Sequence, residues 1–161
     1  MYIPVFLLVF FVSCGGQKQP STTLSNSTTV QMDTSRYAII PYTEKEVWLF
    51  KNARATQLSS EDIVEMESLL KQAVEERNKS KEEKFRTKPL ERYRRQLVPV
   101  INQQGEKEVY VNCFCKNDNS SFGREWRTKL LLIDGGGTCF FSIKINLTQK
   151  KTYELMVNGP I

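Results

Sequence analysis

Residues 59–77 read SSEDIVEMESLLKQAVEER. Ile63, Met66, Leu70, Ala73 and Val74 recur at three- and four-residue spacing, with Leu69 at the margin. This spacing predicts a helix over Ser60–Arg77 with one apolar stripe. Ser59 or Ser60 is placed to cap it, and Glu61 and Asp62 fall in the first turn, where the helix dipole favours negative charge. Glu65, Lys71, Glu75 and Glu76 lie mostly opposite the stripe. The acidic set Glu61, Asp62, Glu65 and Glu67 reads as a solvated face. Such a helix needs a partner surface.

The chain downstream supplies one. After the charged connector KSKEEKFRTK (residues 79–88), which Pro89 closes, the hydrophobic period changes from 3.6 to two. Strands are expected at Arg92–Asn102, Glu108–Cys115, Trp126–Ile133, Thr138–Leu147 and Thr152–Val157. Gln103-Gln104-Gly105-Glu106, Asp134-Gly135-Gly136-Gly137 and Thr148–Lys151 supply the turns between neighbours. The expectation is an α+β fold, one amphipathic helix packed on an antiparallel meander of about five strands. Alternation places Cys139, Phe141, Ile143, Ile145 and Leu147 on the helix side, with Val109, Val111, Cys113 and Cys115, and with Tyr153, Leu155 and Val157. Phe114 and Phe140 then fall on the outer face, which predicts a covered or binding surface there.

Upstream of the helix, Tyr37–Tyr42 has strand composition, but Pro41 confines it to an edge or a short extended arm. Glu46-Val47-Trp48-Leu49-Phe50 is apolar and fits either a short strand or a helical turn.

Composition narrows the chemistry. The 161 residues suffice for one compact domain and not for two with full cores. There are 23 Lys plus Arg, 18 Asp plus Glu, four cysteines and no histidine, for a formal net charge of +5. The missing histidine excludes Ser-His-Asp and Cys-His catalysis and any metal site that needs an imidazole.

The amino-terminal residues carry an address. Ile3–Val12, IPVFLLVFFV, is too short to span a bilayer and has the length of a secretory h-region. Ser13-Cys14-Gly15-Gly16 follows, and the arrangement resembles the lipobox of bacterial lipoproteins. Phe11 stands where that pattern favours Leu, and Met1-Tyr2 carries no positive charge. The resemblance implies cleavage before Cys14, a diacylglycerol on its sulfur, and a domain held in the bacterial cell envelope, at the outer membrane. A plain signal peptide cut elsewhere and a retained buried segment are the alternatives. The tract QKQPSTTLSNSTTVQMD (residues 17–33) lacks aromatics and periodicity, so it is expected to be a flexible tether. The organisation is then residues 1–13 signal, 14–36 anchor and tether, and 37–161 a single domain.

A second resemblance covers roughly Phe50 to the C-terminus. Val111-Asn112-Cys113-Phe114-Cys115, a Trp some dozen residues on, Asp134-Gly135-Gly136, Cys139-Phe140-Phe141 and Val157-Asn158-Gly159 resemble a group of small lipoproteins of Bacteroidetes-type bacteria. It implies a secreted or anchored setting and carries over no ligand and no catalytic residue. The helix-then-sheet order is also similar to cystatin-like folds, a likeness of fold only.

Candidate chemistry is concentrated in the thiols. Outside the inner membrane a nearby pair among Cys113, Cys115 and Cys139 should form a disulfide. Cys113 and Cys115 are too far apart along one extended strand face to bond each other comfortably, which leaves Cys113–Cys139 or Cys115–Cys139. The three thiols together also fit thiol redox work or a soft metal such as Cu(I) or Zn, although Lys116 is the only positive charge in the local string. Asp134 before three glycines reads as a turn residue, and the glycines lack the Gly-Lys-Ser/Thr ending of a phosphate loop. Lys84, Arg86, Lys88, Arg92, Arg94 and Arg95 form a basic cluster with the aromatics Phe85 and Tyr93 interleaved, a candidate anion-binding surface diluted by Glu82, Glu83 and Glu91. These observations call for no cofactor, no resident metal and no nucleic acid. They point to a membrane-anchored, non-enzymatic binding module whose partner is an envelope protein or polysaccharide. The alternative is a thiol redox or metal-handling protein.

Overall fold

The computed structural model describes residues 33–116, 123 and 125–159. The signal-like run, Cys14 and the tether through residue 32 lie outside the described residues. In chain order the elements are β1 (Tyr37–Ile39), β2 (Arg54–Ala55), α1 (Ser60–Lys79), β3 (Tyr93–Ile101), β4 (Lys107–Cys115), β5 (Phe140–Asn146) and β6 (Lys151–Val157). Among the described residues, one helix and a mixed, mostly antiparallel sheet make an α+β fold.

Helix α1 begins where its capping chemistry says it should. Ser59 Oγ accepts from the Asp62 amide at 3.2 Å, and Asp62 Oδ2 accepts from the Ser59 amide at 2.8 Å, a reciprocal capping box. Met66, Leu69, Leu70 and Val74 are buried along one stripe, flanked by half-buried Ile63 and Ala73. They pack on Leu97 of β3, Val109, Val111 and Cys113 of β4, and Phe141, Ile143 and Ile145 of β5, the rows that alternation assigns to the helix side.

The acidic side of the helix is not the solvated face expected of it. Only Glu61 among the four is exposed. Asp62 pairs with Lys107 at 2.6 Å, Glu65 with Lys150 at 3.2 Å and Glu67 with Arg95 at 2.7 Å. The partners lie 28 to 85 positions away in sequence, beyond the reach of any local pattern. Helix docking therefore combines apolar burial with charge pairing at its rim.

The sheet runs β1-β3-β4-β5-β6, with β2 also beside β3. β1 pairs with β3 in parallel, and the other pairings are antiparallel. β1 is the edge arm that Pro41 predicts. Pro99 sits inside β3 with its ring nitrogen turned away from β4. Arg95 donates to the Arg36 carbonyl and the Leu97 carbonyl accepts from Ile40, so odd-numbered β3 residues turn their polar groups toward this edge. Pro99 lies on this edge beyond the end of β1 pairing at Leu97; its carbonyl accepts from the Thr56 amide at 3.4 Å, and its missing amide faces the edge rather than β4.

Two expectations are corrected. Trp126–Ile133 is not a strand: Glu125–Arg127 forms one 3-10 turn, and residues 128–136 cross the outer face without regular structure. β4 already has β3 and β5 as neighbours, so this stretch finds its hydrogen bonds elsewhere. Gln96 donates to the carbonyls of Trp126 and Lys129, both at 2.6 Å, and its Oε1 accepts from the Leu131 amide at 2.8 Å. Asn112 donates to the Leu131 carbonyl at 2.8 Å. Side-chain amides thus replace a ladder. Consequently Asp134–Gly137 is not a hairpin turn but leads into the 3-10 turn Gly137–Cys139. Gly136 is required there, because its φ is +79° and a Cβ would lie 2.4 Å from the Phe140 ring.

The second correction concerns β6. A bulge between Ser142 and Lys144 lets Glu154, at φ +51°, take an extra place opposite Ile143. Leu155 and Val157 stay on the helix side, but Tyr153 pairs with Lys144 and turns to the outer face. That face holds a second core of Ala38, Ile40, Leu49, Phe50, Val98, Val100, Phe114 and Trp126, with Phe140 packed against it. Phe114 is covered, one of the two outcomes its position predicts. Residues 44–49 form a run of turns, with the Leu49 amide on the Glu46 carbonyl, so the helical-turn reading of this stretch holds.

Candidate functional site

The thiols resolve into a bonded pair and a buried bystander. Cys115 ends β4 and Cys139 ends the 3-10 turn before β5; a disulfide joins them with Cα atoms 4.9 Å apart. Phe114 and Phe140 are the last Cα partners in register, so the disulfide extends the β4–β5 ladder by one rung. Cys113 is free and fully buried in the helix-side core, and burial pushes its thiol up to about 12. A thiol so placed is inert at neutral pH. Among the described residues no group of three or more His, Cys, Asp or Glu is arranged to hold a metal ion.

A charge absent from the local string is supplied by the fold. Lys88 Nζ lies 3.1 Å from Cys139 Sγ and 3.7 Å from Cys115 Sγ. Its position is built: the Tyr93 hydroxyl accepts from the Lys88 amide at 3.0 Å and donates to the Thr138 carbonyl at 2.5 Å. Tyr93 is fully buried, its ring edge-on to Phe141 at 5.0 Å, and burial raises its phenol. One side chain thus fixes both the residue that carries the amine and the peptide before Cys139.

The six basic residues do not form one surface. Lys84 is exposed, paired with Glu82 at 3.2 Å, and Arg86 donates to the Lys81 carbonyl at 2.9 Å. Lys88 faces the disulfide, while Arg92 is exposed. Arg94 and Arg95 point to opposite faces of β3. Arg94 lies over the Trp126 ring at 5.3 Å; Arg95 is fully buried, its guanidinium on Glu67 and on the carbonyls of Tyr93 and Leu90. Arg95 therefore belongs to the core and is not available to a surface anion. β-strand alternation is the reason.

The outer face carries a second candidate. Between the turns at 47–51 and strands β5 and β6 run two adjoining hollows of about 460 and 160 Å³, which share Trp48, Leu49, Lys144 and Glu154. Trp48 is 56% exposed and Met156 63% exposed, a large outlay of apolar surface beside open space. Trp48 meets Tyr110 edge-on with centroids 6.3 Å apart. Lys144 pairs with Glu154 at 2.7 Å and lies over the Phe50 ring at 5.2 Å. At one end, the Tyr153 hydroxyl donates to Glu108 at 3.1 Å; burial first and then the Glu108 charge raise this phenol. The trough combines aromatic faces with donors and acceptors, and Lys144 and Glu154 neutralise each other within it.

Sequence reasoning found the sulfurs and noted the apolar run containing Trp48. It missed the trough, because Tyr153 and Glu154 reach it only through a bulge formed by a non-glycine residue, which leaves no mark in the sequence. It missed Lys88 as a neighbour of the sulfurs, since 51 positions separate Lys88 from Cys139. No family model, no curated protein and no solved structure matches the chain.

Proposed function

We propose that the chain is an envelope lipoprotein held to a bacterial membrane through Cys14, and that its domain is a non-enzymatic module that binds polysaccharide. The anchor is supported by Ile3–Val12 followed by Ser13-Cys14-Gly15-Gly16, and by the strings that resemble small envelope lipoproteins. A disulfide at Cys115–Cys139 suits an oxidising space outside the inner membrane.

The observation that carries the binding role is the trough around Trp48. Sugar rings present flat C–H faces that stack on exposed aromatics and hydroxyls that need both donors and acceptors. Trp48 and Tyr110 offer the first; Lys144, Glu154, Gln104 and Ser142 offer the second. Because Lys144 neutralises Glu154, the trough favours a neutral glycan over a strongly charged one.

Two measurements test this. Clickable fatty acid fed to expressing cells should label the wild type and not Cys14→Ala; equal labelling of both overturns the anchor. In native gels containing dextran, arabinoxylan or mixed-linkage glucan, at least one polymer should retard the wild type, and Trp48→Ala should abolish the shift. Absence of retardation by all three, or retardation unchanged in Trp48→Ala, overturns the glycan reading. Trp48 is exposed enough that its removal leaves the fold intact.

A further inference from the structure

We propose that Cys115–Cys139 is an exchange-competent disulfide, polarised by Lys88 so that incoming thiolates attack Cys115 and expel Cys139. This goes beyond the binding role and does not depend on the trough.

Three observations carry it. The ammonium of Lys88 is nearer to Cys139 Sγ, at 3.1 Å, than to Cys115 Sγ, at 3.7 Å. In thiol–disulfide exchange the sulfur that leaves departs as a thiolate, and a lower leaving-group pKa speeds the step. A fixed positive charge lowers that pKa most for the sulfur it touches, so Cys139 is the better leaving group. The backbone that carries the amine is also held beside the disulfide, because the buried Tyr93 hydroxyl clips the Lys88 amide to the Thr138 carbonyl. Finally, the disulfide joins strands already paired through Cys113↔Phe141 and Phe114↔Phe140, above a closed core. Breaking it leaves the ladder in place, so the reduced form keeps the fold. A pure staple placed to hold distant parts together would not have this property. Both residues, Cys115 and Cys139, are half-buried rather than sealed, in contrast to Cys113.

The step balances as follows. An external thiolate attacks Cys115 Sγ, forming a mixed disulfide there; the Cys115–Cys139 bond breaks and its electron pair stays on Cys139 Sγ beside Lys88. A second external thiolate then attacks the external sulfur of the mixed disulfide and releases Cys115, which takes a proton from water. Two thiols have become one disulfide, and the protein disulfide has become a dithiol. The substrate class is an accessible thiol, either small or on an unfolded exported protein.

The test uses the oxidised full-length protein with reduced glutathione as probe, acid quenching, alkylation of free thiols and peptide mass mapping. The expected early species carries glutathione on Cys115 and the alkyl group on Cys139. Removing the charge in Lys88→Met should slow the reaction about three- to tenfold, and Lys88→Arg should restore most of the rate. Lys88→Gln serves the same purpose if Lys88→Met does not fold. Circular dichroism of the wild type should be the same before and after reduction. Glutathione on Cys139, a rate in Lys88→Met or Lys88→Gln within twofold of the wild type, or loss of the fold on reduction overturns the proposal.

Discussion

One face of the sheet is covered by a 20-residue helix, the other by two stretches of chain with almost no regular structure. On the helix side Leu70, Leu97, Val111 and Ile143 are fully buried, and the helix satisfies its own backbone. On the outer side Val98, Val100 and Phe114 are buried as thoroughly, but the covering chain brings unpaired amides and carbonyls with it. Gln96 and Asn112, on neighbouring strands and hydrogen-bonded to each other at 3.0 Å, receive those groups. A sheet face can therefore be closed without a second layer of regular structure, provided the sheet itself presents polar side chains at the right rungs. The irregular cover also leaves gaps that a helix would fill, and the trough at Trp48 is such a gap.

Substitutions on each face put this contrast at risk. The largest effect is expected from Leu70→Ala, which empties a fully buried site between helix and sheet and should cost about 3–4 kcal/mol in urea unfolding. Gln96→Leu keeps the volume but strands the Trp126 and Lys129 carbonyls and the Leu131 amide, and should cost about 2–3 kcal/mol. A cost below about 0.5 kcal/mol for Gln96→Leu would mean that apolar packing alone holds the outer cover, and the contrast between the faces would fail. Ser59→Ala removes half of the capping box and should cost about 1 kcal/mol, visible as a shifted urea midpoint with unchanged slope.

The smallest effect concerns acid. Burial by itself would raise the Asp62 carboxyl, but the hydrogen bond and charge of Lys107, with the Ser59 amide, hold it below its ordinary value of 3.8. A group whose folded pKa is depressed stabilises the fold above its unfolded pKa and loses that contribution as pH falls through the folded one. Urea midpoints at pH 6 and pH 2.5 should therefore differ less in Asp62→Asn than in the wild type. An equal difference in both would remove Lys107–Asp62 from the docking of the helix rim.

Much of the fold is legible because its signals are local. The cap at Ser59, the stripe from Ile63 to Val74 and the hairpin at Gly105 each lie within a few residues of one another. Alternation likewise assigns faces in β4 and β5 correctly. The disulfide is half legible: strand geometry excludes Cys113–Cys115 and leaves two pairings for Cys139. Between those pairings only register decides, because Phe114↔Phe140 puts Cys115, and not Cys113, at the next rung. Other features carry no local signal. Leu130-Leu131-Leu132-Ile133 looks strand-like, yet its neighbours on β4 are already taken. Arg95 stands in a basic run and is nevertheless the largest fully buried side chain among the described residues, because β3 turns it toward Glu67.

By itself, then, the sequence determines which residues prefer helix, which alternate, where the helix starts, and that histidine chemistry is excluded. Tertiary structure alone decides which strand lies beside which, what covers the outer face, which cysteine meets Cys139 and which cation meets the sulfurs. The physical reason is the range of the forces involved. Propensity, capping and periodicity act over one or two turns of chain. Partner choice is settled by whichever distant groups satisfy a buried hydrogen bond, charge or cavity, as when Tyr93 draws Lys88 and Thr138 together across 50 positions.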